Sequence, residues 1–385
     1  MAPAPAPPDE RERLGFGLLG YGFMGKAHSN ALHTIPYIFW PSRARPELVA
    51  IAGRNEAAVR EAATRFGYAS YTTDWQDVVA DERVDVFDDV GPDAVHVEPT
   101  LAAIAHGKHV VCEKPLASSA AGAQQLYDAA EAAGVKHLTC FNYRFFPAVR
   151  LGWELVHGGE LGELHQARFR YSQEWRTDPA GELPSPTGVL DIICSHAIDQ
   201  ARFLCGEIES VSAAITSIAS ARTYRGAPAE TDDTVAILAR LEGGLVATID
   251  ASLVSPGRRN HLAWELNGSK GSVAWNLEEP NVLRVHRRDA GRLGGFADVI
   301  VCESDHPLAS AWWPSGHVLG WEHGHINMLA HFCEAVANDT PVEPFGATFL
   351  DGLRAAQVAE AVERAAETGE QVDARPAVAG AGGGR

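Results

Sequence analysis

The stretch Gly20-Tyr21-Gly22-Phe23-Met24-Gly25 decides the fold of the first part of this 385-residue chain. An apolar run, residues 16–19, comes directly before it, and a segment of helical character, residues 26–34, follows it. Glycines between a strand and a helix permit a tight turn and close backbone approach to a pyrophosphate, which the helix N-terminus attracts. The motif therefore predicts dinucleotide binding. The residues expected at the cofactor are Gly20, Gly22, Phe23, Met24 and Gly25.

Short apolar runs alternate with longer amphipathic segments up to about residue 141. The runs are residues 15–19, 48–52, 84–87, 109–112 and 137–140. Alternation of this kind is typical of a parallel sheet with helices on both faces. We therefore predict an α/β protein whose first domain, residues 12–141, is a Rossmann-type doubly wound parallel sheet.

Runs of strand type joined by short turns replace this alternation after about residue 160. Turns such as Glu242-Gly243-Gly244 and Asn267-Gly268 predict antiparallel hairpins. A second domain, α+β with an open and largely antiparallel sheet, is predicted over residues 142–373. The ends of the chain, residues 1–11 and 374–385, are predicted to be disordered because neither can bury an apolar face.

The charge balance limits the classes of partner. The chain has 32 Lys and Arg against 50 Asp and Glu, a net charge of -18. This acidic excess disfavours nucleic acid and anionic membranes as partners. An apolar stretch of about 18 residues and a signal-type leader are both absent from the sequence, so a cytoplasmic location is expected. The six cysteines have no CxxC spacing and are expected to be free thiols.

The second predicted strand ends in Ala52-Gly53-Arg54-Asn55, where NAD-binding sheets carry an acid for the ribose hydroxyls. Without that carboxylate a 2′-phosphate is not repelled, and Arg54 can pair with it. The prediction is therefore that Arg54 and Asn55 contact the cofactor and that NADP is preferred. An Arg54 that is only a solvated surface residue would leave NAD as the alternative.

Five short motifs carry polar residues at predicted strand ends and on one later helix. They are Gly91-Pro92-Asp93, Gly107-Lys108-His109-Val110, Glu113-Lys114-Pro115, Phe141-Asn142-Tyr143-Arg144 and Ser195-His196-Ala197-Ile198-Asp199. With the late segment Trp312-Trp313-Pro314-Ser315-Gly316-His317, they resemble the Gfo/Idh/MocA oxidoreductases over nearly the whole chain, and the sugar and cyclitol dehydrogenases among them most closely.

This resemblance implies an NAD(P)-dependent oxidoreductase that interconverts a secondary alcohol and a ketone on a sugar, cyclitol or glycoside. It also implies a homodimer or homotetramer formed through the C-terminal sheet. Further residues expected at the cofactor are Pro92, His96, Glu113 and Lys114.

Lys114 and His196 are the main candidates for catalysis. Lys114 follows the predicted strand 109–112, and open α/β sheets bind their ligands beyond the carboxyl ends of the strands. Its ammonium can stabilise a developing alkoxide. His196 matches the catalytic histidine of the family, and imidazole titrates near neutrality, so His196 is expected to accept the hydroxyl proton.

Asp191 is the third catalytic candidate, and its position departs from the family pattern. Related enzymes carry an aspartate four residues before the histidine, whereas this chain has Ile192 there. At about 100° per residue in an α-helix, a residue five positions back lies roughly 140° from His196. Asp191 is therefore expected to miss the site unless the start of the helix is distorted.

Further polar and aromatic residues are expected to contact the substrate. They are Asn142, Tyr143, Arg144, Tyr171, Gln173, Trp175 and Asp199. The late histidines match no zinc spacing, so no metal is expected. Two alternatives stay open: an epimerase or glycoside-cleaving enzyme that uses nicotinamide without net redox change, and a cofactor-binding protein with impaired catalysis. The second is suggested by the displaced aspartate and by the Pro-rich segment 179–187.

Overall fold

The computed structural model describes residues 12–178, 180–183, 187–217, 222–229 and 231–375. Contacts within the chain divide it into two units. Unit 1 comprises the residues up to Glu113 together with Gln125–Asn142 and Glu322–Phe349. Unit 2 comprises Lys114–Gln124, Tyr143–Trp321 and the residues from Leu350 onward.

Unit 1 contains a six-stranded parallel sheet. Its strands are β1 (Glu12–Leu19), β2 (Ala44–Ala52), β3 (Ser70–Thr72), β4 (Val86–Asp89), β5 (His109–Cys112) and β6 (His137–Thr139). They pair in the order β3-β2-β1-β4-β5-β6, with all neighbours parallel. The order reverses between β1 and β4, and ligands of such sheets bind at that reversal, outside the carboxyl ends of the strands. The predicted doubly wound sheet is confirmed.

The described residues contain nine α-helices. They are α1 (Phe23–Ile38), α2 (Glu56–Phe66), α3 (Trp75–Ala80), α4 (Val97–Ala105), α5 (Ala120–Ala133), α6 (Pro147–His157), α7 (Ser195–Cys205), α8 (Glu322–Asn338) and α9 (Phe349–Thr368). In helix α2, the Asn55 side chain accepts from the Ala58 N–H at 3.0 Å, and the helix ends at Gly67 with φ of 81°.

The core of unit 1 on the β1 and β2 side is an apolar cluster. Its buried members are Leu18, Ile51, Val59, Ala62, Ala63, Phe66 and Tyr68. These side chains come from β1, β2 and α2 and from the turn that follows α2. Burial of this cluster holds the carboxyl ends of β1 and β2 in place.

Helix α8 belongs to unit 1, although it follows most of unit 2 in the chain. It packs against α1 and β2 and buries Ile326, Met328 and Phe332. The predicted division at residues 141/142 differs from these units at 114–124 and 322–349. The sequence of an apolar helix face does not specify which sheet the helix packs on. The place of α8 in unit 1 could therefore not be predicted from its own sequence.

Unit 2 contains a nine-stranded sheet and a short separate hairpin. The strands are β7 (Leu164–Ser172), β8 (Ile208–Thr216), β9 (Thr223–Tyr224), β10 (Ala227–Pro228), β11 (Thr234–Leu241), β12 (Val246–Ser252), β13 (His261–Gly268), β14 (Gly271–Asn276), β15 (Val282–Arg287), β16 (Ala297–Ile300) and β17 (Val372–Asp373). The sheet order is β16-β15-β14-β13-β7-β12-β11-β8-β17, and among these described strands only β7 and β12 pair in parallel. The predicted open, largely antiparallel sheet is confirmed.

One face of this sheet carries helices and the other is open within unit 2. Helices α6 and α7 pack on the sheet, and buried and exposed residues alternate along β11. Strand β17 pairs with β8, and the Ala374 N–H donates to the Glu209 carbonyl at 2.8 Å. The predicted disorder therefore does not extend to Ala374, which is buried.

Several predictions fall partly on residues that the structure does not describe. Residues 1–11 and 376–385 of the predicted tails lie outside the described residues, as do 179 and 184–186 of the Pro-rich segment. All six cysteines are free thiols, as predicted. None of the described helices is both long enough and apolar enough to cross a membrane.

Candidate active site and cofactor-binding residues

The glycine loop after β1 has the backbone geometry that a closely approaching ligand requires. Gly20 has φ of 107°, and a Cβ there would lie 2.9 Å from the Val90 carbonyl oxygen. A Cβ on Gly25 would come within 2.6 Å of the Gly20 oxygen, whereas a Cβ on Gly22 would meet nothing within 4 Å. A side chain at Gly22 would fill this open space, which is the space that a pyrophosphate needs.

The start of α1 is suited to an anion. The helix has no side-chain cap at Gly22 and no acidic residue in its first turn, so no carboxylate of that turn repels an anion from the helix N-terminus. Phe23 is 70% exposed and Met24 is half-buried beside it. The loop and helix start of unit 1 therefore fit a dinucleotide, as the sequence predicted.

The end of β2 is shaped by an aromatic ring. A Cβ on Gly53 would lie 2.1 Å from the ring of Tyr21, so only glycine fits beneath that ring. Arg54 is exposed, and the Asn55 side chain is used as the cap of α2. Tyr21 was not a candidate from the sequence, although its place between two motif glycines is a signal that it borders the loop.

Buried polar groups hold the loop after β4. The Gly91 N–H donates to Asp89 Oδ1 at 3.0 Å, and His96 Nε2 lies 3.0 Å from the Gly91 carbonyl oxygen. Burial raises the pKa of the Asp89 carboxyl to about 6. His96, predicted at the cofactor, is 1% exposed and supports this loop, whereas Pro92 is exposed at its surface.

Glu113 follows β5 directly and is almost buried. Its N–H donates to the Asp89 carbonyl at 2.8 Å, and its Oε1 lies 3.3 Å from Nε2 of His28. His28 comes from α1 and also binds Asp88, and neither residue was a candidate from the sequence. Both could have been noticed in the sequence, because a histidine and an aspartate stand at positions where the helix and strand patterns predict buried side chains.

In unit 2, Lys114 contacts the start of the helix that carries His196. Its Nζ donates to the Ile192 carbonyl oxygen at 2.7 Å. Ile192 lies four residues before His196, which is the second residue of α7 and is 7% exposed. The structure therefore brings the two main catalytic candidates to one helix start.

The segment before α7 is a π-helix, Leu190–Cys194. The Ser195 N–H donates to the Leu190 carbonyl, five residues earlier. A π turn takes about one residue more than an α turn, so Asp191 has the register that the residue four before His196 would have in an α-helix. The expectation that Asp191 misses the site applied to a regular helix start, and this start is distorted. The part of Asp191 in the site stays a prediction.

Asp232 anchors this π turn, and sequence reasoning missed it. Its Oδ2 accepts from the Leu190 N–H at 3.0 Å, and its carbonyl accepts from the Val189 N–H at 3.2 Å. A Cβ on Gly188 would lie 1.4 Å from Asp232 Oδ1. Gly188 is therefore required for Asp232 to reach the helix start.

Two tyrosines pack against the His196 ring. The ring centroids are 4.6 Å away for Tyr143 and 5.9 Å away for Tyr171. Tyr171 donates its hydroxyl proton to Asn260 Oδ1 at 2.7 Å, so Tyr143 donates to Tyr171 across 2.9 Å. Burial raises the pKa of Tyr171 well above its usual value, so its hydroxyl stays a donor.

The hydrogen-bond chain continues from Asn260 to an exposed tryptophan. Gln173 Nε2 donates to Asn260 Oδ1 at 2.7 Å, and Trp175 Nε1 donates to Gln173 Oε1 at 2.6 Å. Trp175 is 43% exposed, with the Arg176 guanidinium 4.8 Å from its ring centroid. The structure therefore brings together the predicted residues Tyr143, Tyr171, Gln173 and Trp175, and adds Asn260.

Arg144 and Asp199, both predicted substrate contacts, form a buried ion pair with each other, and a contact of either with the substrate stays a prediction. Arg144 Nε lies 3.0 and 3.1 Å from the two Asp199 carboxylate oxygens, and the residues are 2% and 1% exposed. Arg144 Nη2 also donates to Asp351 at 3.0 Å. The pair ties α7 to α9 and leaves neither side chain at a surface.

Asn142 in unit 1 has a different environment. It is buried, and its Nδ2 has no hydrogen-bond partner among the described residues. An unsatisfied buried amide is costly, so this N–H donor is available to a ligand. Its prediction as a ligand-contacting residue remains a prediction.

Among the described residues, one group of side chains has the spacing of metal ligands. Donor atoms of His28, Glu113 and His325 lie within 4.8 Å of one another. Two of these residues already form the ion pair between His28 and Glu113. That no metal is bound remains a prediction from the sequence.

Two family models match the chain. One, described as "Oxidoreductase family, NAD-binding Rossmann fold", covers residues 14–141, and the other, "GFO/IDH/MocA C-terminal domain", covers residues 149–274. The chain belongs to the Gfo/Idh/MocA family of oxidoreductases. Unit 1 thus contains the NAD-binding Rossmann fold of this family.

Individual Gfo/Idh/MocA proteins resemble the chain over most of its length. Levoglucosan dehydrogenase from Pseudarthrobacter phenanthrenivorans is 34% identical over 388 residues, which cover 94% of this chain and 98% of the relative. Inositol 2-dehydrogenase from Acidothermus cellulolyticus is 29% identical over 274 residues, 70% of this chain and 74% of the relative. A solved levoglucosan dehydrogenase in complex with NADH and levoglucosan has a TM-score of 0.91 at 34% identity, covering 95% of this chain and 100% of that one.

Proposed function

We propose that this chain is an NAD(P)-dependent dehydrogenase that interconverts a secondary alcohol and a ketone on a sugar, cyclitol or glycoside. The observation that carries the proposal is the contact of 2.7 Å between Lys114 Nζ and the Ile192 carbonyl oxygen. This contact joins a cation to the helix start that holds His196. Similarity to levoglucosan dehydrogenase along 94% of the chain supports the substrate class.

Three side chains share the chemistry in this proposal. His196 accepts the proton of the reacting hydroxyl, because imidazole is a suitable base near neutral pH. Lys114 stabilises the alkoxide that forms as the proton leaves. Asp191, one π turn before His196, orients the imidazole. A bound nicotinamide supplies the acceptor for the hydride of the carbinol carbon.

The hydrogen-bond chain from Tyr143 to Trp175 supports a hydroxylated substrate. Asn260 and Gln173 offer amide groups, and hydroxyl and amide groups are the usual partners of sugar hydroxyls. The exposed Trp175 ring offers an apolar face on which the C–H face of a sugar ring can stack. We include Tyr143, Tyr171, Gln173 and Trp175 among the proposed substrate residues.

Replacement of the two main catalytic residues tests the proposal. Lys114→Ala and His196→Ala should each reduce turnover by at least about a hundredfold, the scale for losing a positioned electrostatic or acid–base group. Dinucleotide affinity should change little. Lys136→Ala and His157→Ala, which change a surface lysine and a surface histidine, serve as matched controls. Near-parental turnover of either active-site variant would remove that residue from the mechanism.

The proposal includes a preference for NADP(H) over NAD(H). Support comes from the lack of a carboxylate at the end of β2 and from the exposed Arg54, which can pair with a 2′-phosphate. The solved levoglucosan dehydrogenase carries NADH, so NAD(H) is the alternative.

Titration of both cofactors against parent and variant tests this preference. Arg54→Ala should weaken NADP(H) binding by about tenfold, the scale of a hydrogen-bonded charge pair, with NAD(H) binding unchanged. Arg60→Ala, an exposed arginine on α2, is the control. Tighter binding of NAD(H) by the parent chain would reverse the assignment.

A second candidate function is an epimerising or glycoside-cleaving reaction with no net redox change. It would use the same residues, and the difference is whether reduced nicotinamide accumulates. A catalytically impaired binding protein is the other alternative, and it would bind the dinucleotide without turnover. The π turn before His196 favours the active enzyme, because it supports the register proposed for Asp191.

The proposal also includes a homodimer or homotetramer formed through the nine-stranded sheet. Exposed residues on alternate positions of β7 and β11 support it, because they leave one sheet face uncovered within unit 2. Light scattering on the purified chain should give two or four times the 41.2 kDa chain mass. A cytoplasmic location stays a prediction from the sequence.

A further inference from the structure

His28 lies between two carboxylates in the interior of unit 1. Its Nδ1 is 2.9 and 3.0 Å from the two oxygens of Asp88, and its Nε2 is 3.3 Å from Oε1 of Glu113. His28 and Asp88 are fully buried, and Glu113 is 6% exposed. A neutral imidazole has only one N–H donor, whereas an imidazolium has two. Nδ1 is hydrogen-bonded to Asp88, and the contact of Nε2 with Glu113 is an ion-pair contact without hydrogen-bond geometry. A carboxylate therefore faces each ring nitrogen, which favours the imidazolium.

The charges around His28 agree with this geometry. Burial alone would lower the pKa of His28, but Asp88 and then Glu113 outweigh it and raise that pKa to about 10. Burial, and next the charge of His28, lower the pKa of His325 to about 3. Burial raises the pKa of the Asp88 carboxyl, and the charge of His28 acts against that rise. The geometry thus places one imidazolium between two carboxyl groups, with a second imidazole beside it. Other titratable groups close to these charges are Tyr68, Asp89, Cys112 and Cys140.

The competing interpretation is that the donor atoms of His28, Glu113 and His325 bind a metal ion. The metal ion would bind Nε2 of His28 in its deprotonated form, in place of the contact with Glu113. The ring centroids of His28 and His325 are 5.6 Å apart. The contacts of His28 with Asp88 and Glu113 are those of an ion pair. Measuring the metal content of the purified protein distinguishes the two interpretations.

His28 connects three elements that form the cofactor side of unit 1. It lies on α1, which begins at the glycine loop, and it contacts Asp88 on β4 and Glu113 at the end of β5. Without the imidazolium, two carboxylates would face a buried region with no cation between them, which is costly.

We propose that His28 is a positioning residue: as an imidazolium held by Asp88, it fixes the Glu113 carboxylate at the carboxyl end of β5 for the dinucleotide. This rests on the proposed function only in taking Glu113 as a cofactor residue. His28 itself contacts no reacting atom in this proposal, and it acts through Glu113.

Nuclear magnetic resonance of ¹⁵N-histidine-labelled protein tests the charge directly. The His28 ring should give the signature of a doubly protonated imidazolium at pH 8, assigned by its loss in His28→Gln. A neutral His28 ring at pH 8 would overturn the proposal, and this measurement on the parent protein holds even if the variant folds poorly. A stoichiometric divalent metal in the purified protein, lost in His28→Gln, would overturn it too.

Dinucleotide binding tests the positioning role. His28→Gln should weaken dinucleotide affinity by about tenfold or more, because the Glu113 carboxylate loses the cation that holds it in place. His33→Gln is the matched control, since His33 lies on the same helix and contacts only the Phe66 carbonyl among its described hydrogen bonds. Unchanged affinity in His28→Gln would contradict the proposal.

A double variant separates positioning from stability. In His28→Gln/Glu113→Gln one of the two uncompensated carboxylates is gone and only Asp88 remains, so the melting temperature should recover in part relative to His28→Gln, while the affinity should not. Recovery of both would reduce His28 to a structural role. If the parent chain bound no dinucleotide, the proposed function would fail, whereas the imidazolium signature would still report on His28.

Discussion

Asp191 lies five positions before His196, within the π-helix Leu190–Cys194. Because a π turn takes about one residue more than an α turn, we expect the pair to have the register of one helical turn. The Ser195 hydroxyl donates to the Asp191 carbonyl at 2.7 Å, which holds the backbone of this turn. A carboxylate in that register can hold the imidazole in one orientation, and it favours the protonated ring. The residue that breaks the family spacing is therefore assigned the role of the family aspartate.

Asp191→Asn tests this assignment at the scale of the residue. Turnover should fall by about a hundredfold, because small misplacements of a catalytic group have effects of that size. The pH at which oxidation reaches half its maximum should move lower, because the imidazole loses a neighbouring negative charge. Steady-state rates across pH give both values, with Asp178→Asn as a surface control. Unchanged rates would mean that Asp191 takes no part.

Gly188 and Asp232 determine whether the π turn forms. Gly188→Ala would bring a Cβ to 1.4 Å from Asp232 Oδ1, so Asp232 must leave the Leu190 N–H. Turnover should fall at least about tenfold through misplaced His196, while dinucleotide affinity, which depends on unit 1, should be retained. Gly181→Ala is the matched control, because a Cβ there meets only ordinary contacts from 3.4 Å. Equal turnover of the two variants would contradict this account of the π turn.

The elements differ in how far the sequence could predict them. Five of the six strands of unit 1 were predictable, because alternating apolar runs and the glycine motif are local signals, whereas the three-residue strand β3 (Ser70–Thr72) has no apolar run. The π turn was not, because it depends on Asp232, 42 residues after Leu190. The ion pair of Arg144 and Asp199 could not be predicted either, because a motif match does not show that two charged residues pair with each other.

At the scale of the whole molecule, the two sheets and their classes followed from pattern alone, and the membership of α8 in unit 1 did not. Lys114 and His196 were candidates because of their motifs, whereas Asn260, Asp232 and His28 became visible only through their contacts. Contacts over long sequence distances carry no periodic signal, so side chains of this kind require a structure.

Net oxidation of a polyhydroxylated substrate by the bound dinucleotide is tested by measuring reduced nicotinamide and ketone in the same reaction. Purified chain is mixed with NAD or NADP and a panel of sugars, cyclitols and anhydrosugars including levoglucosan, and the absorbance of reduced nicotinamide is followed together with the ketone formed. The account predicts that reduced nicotinamide and ketone appear in equal amounts with at least one member of the panel, and that Lys114→Ala abolishes both. A chain that binds the dinucleotide and converts a substrate without accumulating reduced nicotinamide would contradict it.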